Sequence, residues 1–202
     1  MKKLSIVALI SGRGSNLKAI IDAANPLVNI GAVISNRPQA AGLSYAQQAG
    51  ISTEVLDHKD FATRLEFDIA LQECIDKYQP QLVVLAGFMR ILSSEFVKHY
   101  KGRLINVHPS LLPKFKGLDT HKRAIEAGEK EHGVTVHFVT EDLDAGPIIL
   151  QARVPILADD TEESLTARVL QQEHKIYPEA IQLFAESGFR PDRFLKPVRS
   201  GH

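Results

Sequence analysis

Leu4-Ser5-Ile6-Val7-Ala8-Leu9-Ile10-Ser11-Gly12-Arg13-Gly14-Ser15-Asn16 decides the fold class, because Leu17, Ile20, Ile21 and Ala24 follow it at i, i+3, i+4 and i+7. A short apolar run without alternation reads as a strand buried on both faces, as parallel strands are. The spacing behind it reads as an amphipathic helix. Working outward, Ile30–Ile34, Gln81–Ala86 and Arg103–Val107 repeat the buried-strand signature. Ala40–Ala49, ended by Gly50, and the set Leu71, Cys74, Ile75 and Tyr78 supply helices between them. This rhythm predicts an α/β architecture with a doubly wound, mostly parallel, Rossmann-like sheet and right-handed crossovers. Beyond residue 130 the pattern changes. Val134, Val136 and Phe138 alternate with Thr135, His137 and Val139, the mark of a half-buried strand. Ile148–Val154 is its expected partner through a hairpin-like loop at Glu141–Pro147, giving the sheet an antiparallel or mixed C-terminal extension. Thr161, with Glu162 and Glu163 behind it, marks the start of a last helix expected to run to about Tyr177, before Pro178. Residues 1–202 are expected to form one domain, with a loosely structured tail from about Arg190.

Bulk properties narrow the function classes. Hydrophobic residues make up 44% and charged residues 24%, as in an ordinary globular protein. Lys plus Arg and Asp plus Glu both number 24, and a net charge of zero argues against nucleic-acid binding by bulk electrostatics. The single cysteine, Cys74, has no partner for a disulfide or a shared metal, which fits a reducing compartment. Its apolar helical neighbours make it a core residue. Met1-Lys2-Lys3 and the short run behind them lack the cleavage site of a secretory signal, and no stretch approaches the roughly 20 apolar residues of a membrane span. A soluble, cytoplasmic protein is expected.

Two places carry chemistry. The first is Ser11–Asn16, where glycines let the backbone turn tightly and approach a ligand, and the free N–H groups of the helix start favour an anion. The third glycine of a dinucleotide fingerprint is missing, since Leu17 stands at its place. The second strand runs into Ser35-Asn36-Arg37-Pro38 without the expected acid. A single phosphate is the leading reading; a dinucleotide and a plain strand-to-helix turn stay open.

The second place is Asn106-Val107-His108-Pro109 with Asp144 in Asp142–Pro147. Asn106 and His108 are two apart, so on a strand they share a face. Pro109 cannot continue the ladder, which puts His108 at the carboxyl edge, where open α/β sheets hold their ligands. Alone, the pair could be a satisfied structural histidine and Asp144 a turn residue with an Asx bond. Together, an amide donor, an imidazole that exchanges protons near neutral pH and a carboxylate suit acyl transfer. No Ser or Cys nucleophile is evident, so direct attack by a substrate amine is the economical mechanism.

These stretches resemble one known family. Ser11–Asn16, Val84–Leu92 (VLAGFMRIL), Ile105–Pro113 (INVHPSLLP), Gly133–Gln151 (GVTVHFVTEDLDAGPIILQ) and Gln172-Glu173-His174 are similar, in order, to the phosphoribosylglycinamide formyltransferase family of purine synthesis, over about residues 4–185. The resemblance implies one formyltransferase domain, with a phosphate-binding half to about residue 100 and a folate and catalytic half from 101 to about 185. It implies 10-formyltetrahydrofolate as co-substrate, glycinamide ribonucleotide as formyl acceptor, and no metal. Neither nucleic acid nor a membrane is implied as partner, and oligomeric state stays open. Residue by residue, it implies that Gly14, Ser15 and Asn16 cradle the phosphate and that Gln171, Gln172 and Glu173 lie near ribose and glycinamide. Arg64 with Met89, Arg90, Ile91 and Leu92 would line the folate site, and Thr140, Glu141, Asp142, Leu143 and Asp144 would close over it. Asn106, His108 and Asp144 would be the catalytic trio, Asn106 and Asp144 also touching the folate.

Each has a plainer alternative. Phe88–Leu92 would be a strand end, Arg64 a solvated helix charge, and Glu173 a surface residue. His137 is read as a non-catalytic strand residue, and His121 and His132 as surface residues. Arg13 between the glycines, and Lys116 and Asp119 where family members carry Pro and His, depart from the pattern. Among enzymes sharing the trio, those acting on initiator tRNA carry an extra C-terminal domain and the hydrolases an extra N-terminal one. Neither is expected here. Transferases for amino-sugar nucleotides remain a minor alternative, and a non-catalytic folate binder would have no use for the trio.

Overall fold

A computed structural model describes residues 2–195. Seven strands form one sheet: β1 (Leu4–Ile10), β2 (Val28–Ser35), β3 (Thr53–Val55), β4 (Leu82–Leu85), β5 (Leu104–His108), β6 (Glu131–Phe138) and β7 (Ile148–Pro155). Six helices connect or follow them: α1 (Ser15–Asp22), α2 (Gly42–Gln48), α3 (Arg64–Asp76), α4 (Ser94–His99), α5 (Thr120–Glu126) and α6 (Glu162–Glu186). The order is β3-β2-β1-β4-β5-β6-β7. The first five strands pair in parallel, while β5–β6 and β6–β7 pair antiparallel. The mostly parallel sheet with an antiparallel extension is as the sequence predicts. The chain winds outward from β1 to β3 and then returns to β4, so β1 and β4 flank a switch point, where their outgoing loops part and leave a crevice.

β1 shows why the strands read as continuous apolar runs. Leu4 and Ile6 pack on one face with Tyr177 and Ile181 of α6. Val7 and Leu9 pack on the other with Phe67 and Leu71 of α3 and Phe96 of α4. Cys74 lies in that second layer, 5% exposed, a core residue as expected. Thr63 and Thr161 cap α3 and α6, each accepting from the third residue of its helix; such a cap is worth about 1 kcal/mol.

Several expectations need correction. β6 is not half-buried: Val134, Val136 and Phe138 face one core, and Thr135 and His137 on the other side are 0% and 2% exposed. α6 does not stop at Tyr177 but runs through Pro178 to Glu186. A mid-helix proline costs about 3 kcal/mol. Burying Tyr177, Ile181 and Phe184, at about 1.5–3 kcal/mol for each large side chain, outweighs it. The segment from Arg190 is partly ordered, because Pro191–Phe194 form a 3₁₀ turn and Phe194 packs on Phe138 and Phe184. The remainder of the expected tail, residues 196–202, lies outside the described residues. The short elements β3, α4 and α5 carry too little periodicity to be read from sequence.

Candidate active site

The loop after β1 is built by contact. Gly14 takes a left-handed φ of 73° at the N-cap of α1. A Cβ there would stand 2.5 Å from the Gly42 Cα, and the Gly42 N–H donates to the Gly12 carbonyl at 3.0 Å. Gly14 is thus required twice, by its torsion and by α2 pressing on it. Arg13 points away from the core and is exposed. Asn16, buried, donates through Nδ2 to Glu173 Oε1 at 3.0 Å, while its Oδ1 is buried without a partner. Burial pushes the Glu173 carboxyl up, and the Asn16 bond partly counters this. Glu173 is therefore no surface charge, and α6 meets the start of α1 at two of the residues expected to bind substrate. Gln171 is exposed and Gln172 half-buried.

Across the switch point, Gly87 turns the chain out of β4 at a φ of 78°. The Met89 N–H donates to Ser11 Oγ at 2.8 Å, and Ser11 Oγ donates to Asn36 Oδ1 at 2.5 Å, tying the β4 loop to the ends of β1 and β2. The Arg90 guanidinium lies 4.7 Å over the Phe67 ring, and its Nε is buried without a partner. Ser93 N–H donates to buried Asp68 at 2.7 Å, which fixes the chain just after Leu92. Met89 and Ile91 remain 70% and 75% exposed, and Leu143, in the loop after β6, 68%. Glu141, from the same loop as Leu143, bonds Ser94 Oγ at 2.5 Å and lies 3.7 Å from Lys98, docking that loop on α4. Thr140 and Asp142 are exposed, and Arg64 is an exposed residue at the start of α3. Among the described residues, no hydrogen bond links Arg64 to Met89–Leu92 or to Thr140–Asp144, the other residues expected to line the folate site.

The third group sits where β5 ends. Asn106 lies opposite His137, and His108 opposite Thr135, so the antiparallel pairing puts all four on one face. His108 is 6% exposed. Its Nε2 is 2.8 Å from the Phe115 carbonyl, which only accepts, so Nε2 carries a hydrogen. Its Nδ1 faces Asp144 Oδ2 at 3.5 Å, too long for a good hydrogen bond. Acceptor oxygens thus stand before both ring nitrogens, one at hydrogen-bond distance and one beyond it. Asp144 also accepts from the Gly117 N–H at 2.9 Å and lies 3.9 Å from His137 Nε2. Asp144 takes a left-handed φ of 48°, and two residues later Gly146 leaves no room for a Cβ against the Phe138 carbonyl. His137 Nε2 is buried without a hydrogen-bond partner, and burial holds that ring below its ordinary pKa.

His108 and Asp144 thus face each other, with Asn106 on the same face of β5, and the structure adds neighbours outside the predicted set. His137 was signalled only by its two-residue spacing from Thr135. His132 is not a surface residue: it is 1% exposed, its Nε2 is 3.1 Å from His121 Nδ1, and burial pushes it down to about 4. His121, half-buried, is lowered for the same reason. The Phe115 carbonyl and Gly117 N–H are backbone groups, which no motif announces. Among the described residues, no three His, Cys, Asp or Glu are grouped to hold a metal ion, and no helix is long and apolar enough to cross a membrane.

The glycine-shaped start of α1 and the Asn106, His108 and Asp144 side chains all lie within a stretch that matches a known family. Residues 4–181 match the model of the formyl transferase family. The chain belongs to that family. Among its relatives, the phosphoribosylglycinamide formyltransferase of Escherichia coli (strain K12) is 56% identical over 186 residues, covering 91% of this chain and 88% of that protein. The trifunctional purine biosynthetic protein adenosine-3 of Bos taurus is 49% identical over 192 residues, 94% of this chain but 19% of that longer protein. A solved structure of the phosphoribosylglycinamide formyltransferase of Coxiella burnetii superposes with a TM-score of 0.88 at 56% identity, covering 92% of this chain and 89% of that one. The formyl transferase fold is therefore shared along almost the whole described chain.

Proposed function

We propose that this chain transfers the formyl group of 10-formyltetrahydrofolate to the amine of 5′-phosphoribosylglycinamide, a step of purine biosynthesis. It is a phosphoribosylglycinamide formyltransferase. The observation that carries the site assignment is the Asp144 carboxylate facing His108 Nδ1 at 3.5 Å, with Asn106 on the same strand face.

The chemistry follows from that placement. The acceptor amine attacks the formyl carbon, a C–N bond forms, and the carbonyl electron pair moves onto oxygen. His108 Nε2 is anchored on the Phe115 carbonyl, which leaves the Nδ1 hydrogen to be shared between Asp144 and the developing oxyanion. The Asn106 amide supplies a second donor. Collapse of the intermediate breaks the bond to folate N10, and a proton passes from the attacking amine to that nitrogen. Asp144 stabilises the imidazolium throughout. Gly14, Ser15 and Asn16 hold the substrate phosphate, while Gln171, Gln172 and Glu173 lie along its ribose and glycinamide. Arg64 and Met89–Leu92 bind the folate, the last four across the switch point, and Thr140–Asp144 close over it. A cytoplasmic setting fits the lone buried Cys74.

The test is a spectral assay of folate product with 10-formyltetrahydrofolate, with and without the ribonucleotide. Product that requires the ribonucleotide and disappears in Asn106→Ala and Asp144→Asn supports substrate and site together. Folate release without any amine would instead identify a hydrolase, and no release under either condition would contradict the reading.

A further inference from the structure

Arg123, on α5, makes a set of contacts that the proposed reaction does not use. Its Nη1 donates to two loop carbonyls, those of Lys116 at 2.6 Å and Leu118 at 3.0 Å. Its guanidinium also lies over the Phe115 ring, 5.4 Å from the centroid. The loop so gripped is the one whose backbone holds the reacting pair: the Phe115 carbonyl takes the His108 Nε2 hydrogen, and the Gly117 N–H donates to Asp144 Oδ2. One nitrogen therefore fastens carbonyls on either side of Gly117.

The loop needs such a fastening. Phe115 and Asp119 sit at φ of 52° and 55°, a left-handed region that disfavours non-glycine residues. Leu118 is 81% exposed, so burial does not anchor the loop there. Asp119, at the N-cap of α5, makes no side-chain cap bond. α5 is itself tied to the strand end, through Thr120 Oγ1 donating to the Pro109 carbonyl at 2.6 Å. The helix is thus fixed beside His108 at its first residue, and one turn further on Arg123 reaches back to the loop that precedes it.

We propose that Arg123 is a positioning residue for formyl transfer, which sets His108 and Asp144 through the backbone of residues 115–118. This rests on the reading of His108 and Asp144 as the reaction centre. The test compares Arg123→Met, which keeps the stem but loses the donor, with Arg123→Lys, which keeps a donor and the charge. Three quantities are read: kcat normalised to folate-binding stoichiometry, KM for both substrates, and hydrogen exchange at the Gly117 amide. Small misplacements of reacting groups can cost up to about a hundredfold, so Arg123→Met should lower kcat on the order of tenfold and leave KM within about twofold. Gly117 exchange should quicken, and Arg123→Lys should fall between wild type and Arg123→Met on both readouts. Unchanged kcat, a loss accounted for by the binding-competent fraction, or slower turnover with unaltered Gly117 exchange would each overturn the inference. His108→Ala is measured beside them. Near-normal turnover in that variant defeats the site reading itself, whereas a dead His108→Ala with a fully active Arg123→Met defeats only the role of Arg123.

Discussion

At Gly14 the backbone is held by contact, and at Asp144 it is held by hydrogen bonds. The glycine loop fits against α2 so closely that no side chain can be added, whereas the carboxylate depends on a loop amide and faces His108 and His137. The first region is set by the shape of the backbone and admits no side chain at Gly14. The second consists of side-chain chemistry whose orientation is borrowed from a neighbouring loop. Damage to the two should therefore look different: added volume breaks the cradle, while removing a single polar atom breaks the cluster.

The largest expected effect is on the cluster side. His108→Ala should lower kcat by roughly 10²–10³, the usual loss for one oxyanion donor, with folate affinity retained by equilibrium titration. Retained turnover would erase the distinction, since the cluster would then tolerate what the cradle tolerates. Gly14→Ala attacks the other side. The Cβ overlap and left-handed torsion should together cost about 2–4 kcal/mol by denaturant unfolding, with a raised KM for the phosphorylated substrate. A variant of normal stability and KM would show that the cradle is not sterically set.

A third test uses acid. His132 is held down to about 4, against about 6.5 for an unfolded histidine. The unfolded chain therefore binds this proton first. The stability owed to the neutral, buried ring is complete above about pH 6.5 and is lost as pH falls towards 4, by an amount on the order of 1–3 kcal/mol. His132→Gln should flatten that part of the pH–melting curve relative to wild type, although His121 and His137, also lowered, will keep some slope. Parallel curves for the two proteins would contradict the assignment. The smallest effect is expected at the seam between the regions. Tyr177 donates to the Leu85 carbonyl at 2.6 Å and lies 3.3 Å from the Ile105 carbonyl, linking the ends of β4 and β5. Tyr177→Phe should lose about 1–2 kcal/mol of stability, read from the denaturation midpoint. A loss within error would mean that the strand ends hold without it.

Legibility followed the same divide. β1 was readable to its exact ends because a strand covered on both faces has no alternative pattern, and α1 because its apolar residues repeat at the helical spacing. The reach of α6 past Pro178 was not readable, since a local rule about proline yields to an apolar stripe seated on distant strands. His132 looked like a surface residue because its neighbours are charged, but pairing in β6 and the approach of His121 bury it. Asn106, His108 and Asp144 were singled out by residue type together with the family resemblance, and the structure places Asn106 and His108 on one face of β5 with Asp144 facing His108. Phe115, Gly117 and Arg123 were not, because their parts are played by backbone atoms or by contacts to backbone, which side-chain identity does not encode.

Sequence alone determined the alternation of buried strands and helices, the carboxyl-edge placement of His108 and the need for glycine in the first loop, because hydrophobic period and backbone permissiveness are local properties. Tertiary structure decided which groups meet. Antiparallel pairing set His137 beside Asn106, the packing of α6 brought Glu173 to Asn16, and the loop after β5 closed on His108 and Asp144. Those meetings join residues far apart in the chain, and only the packing of the whole sheet fixes the distances between them.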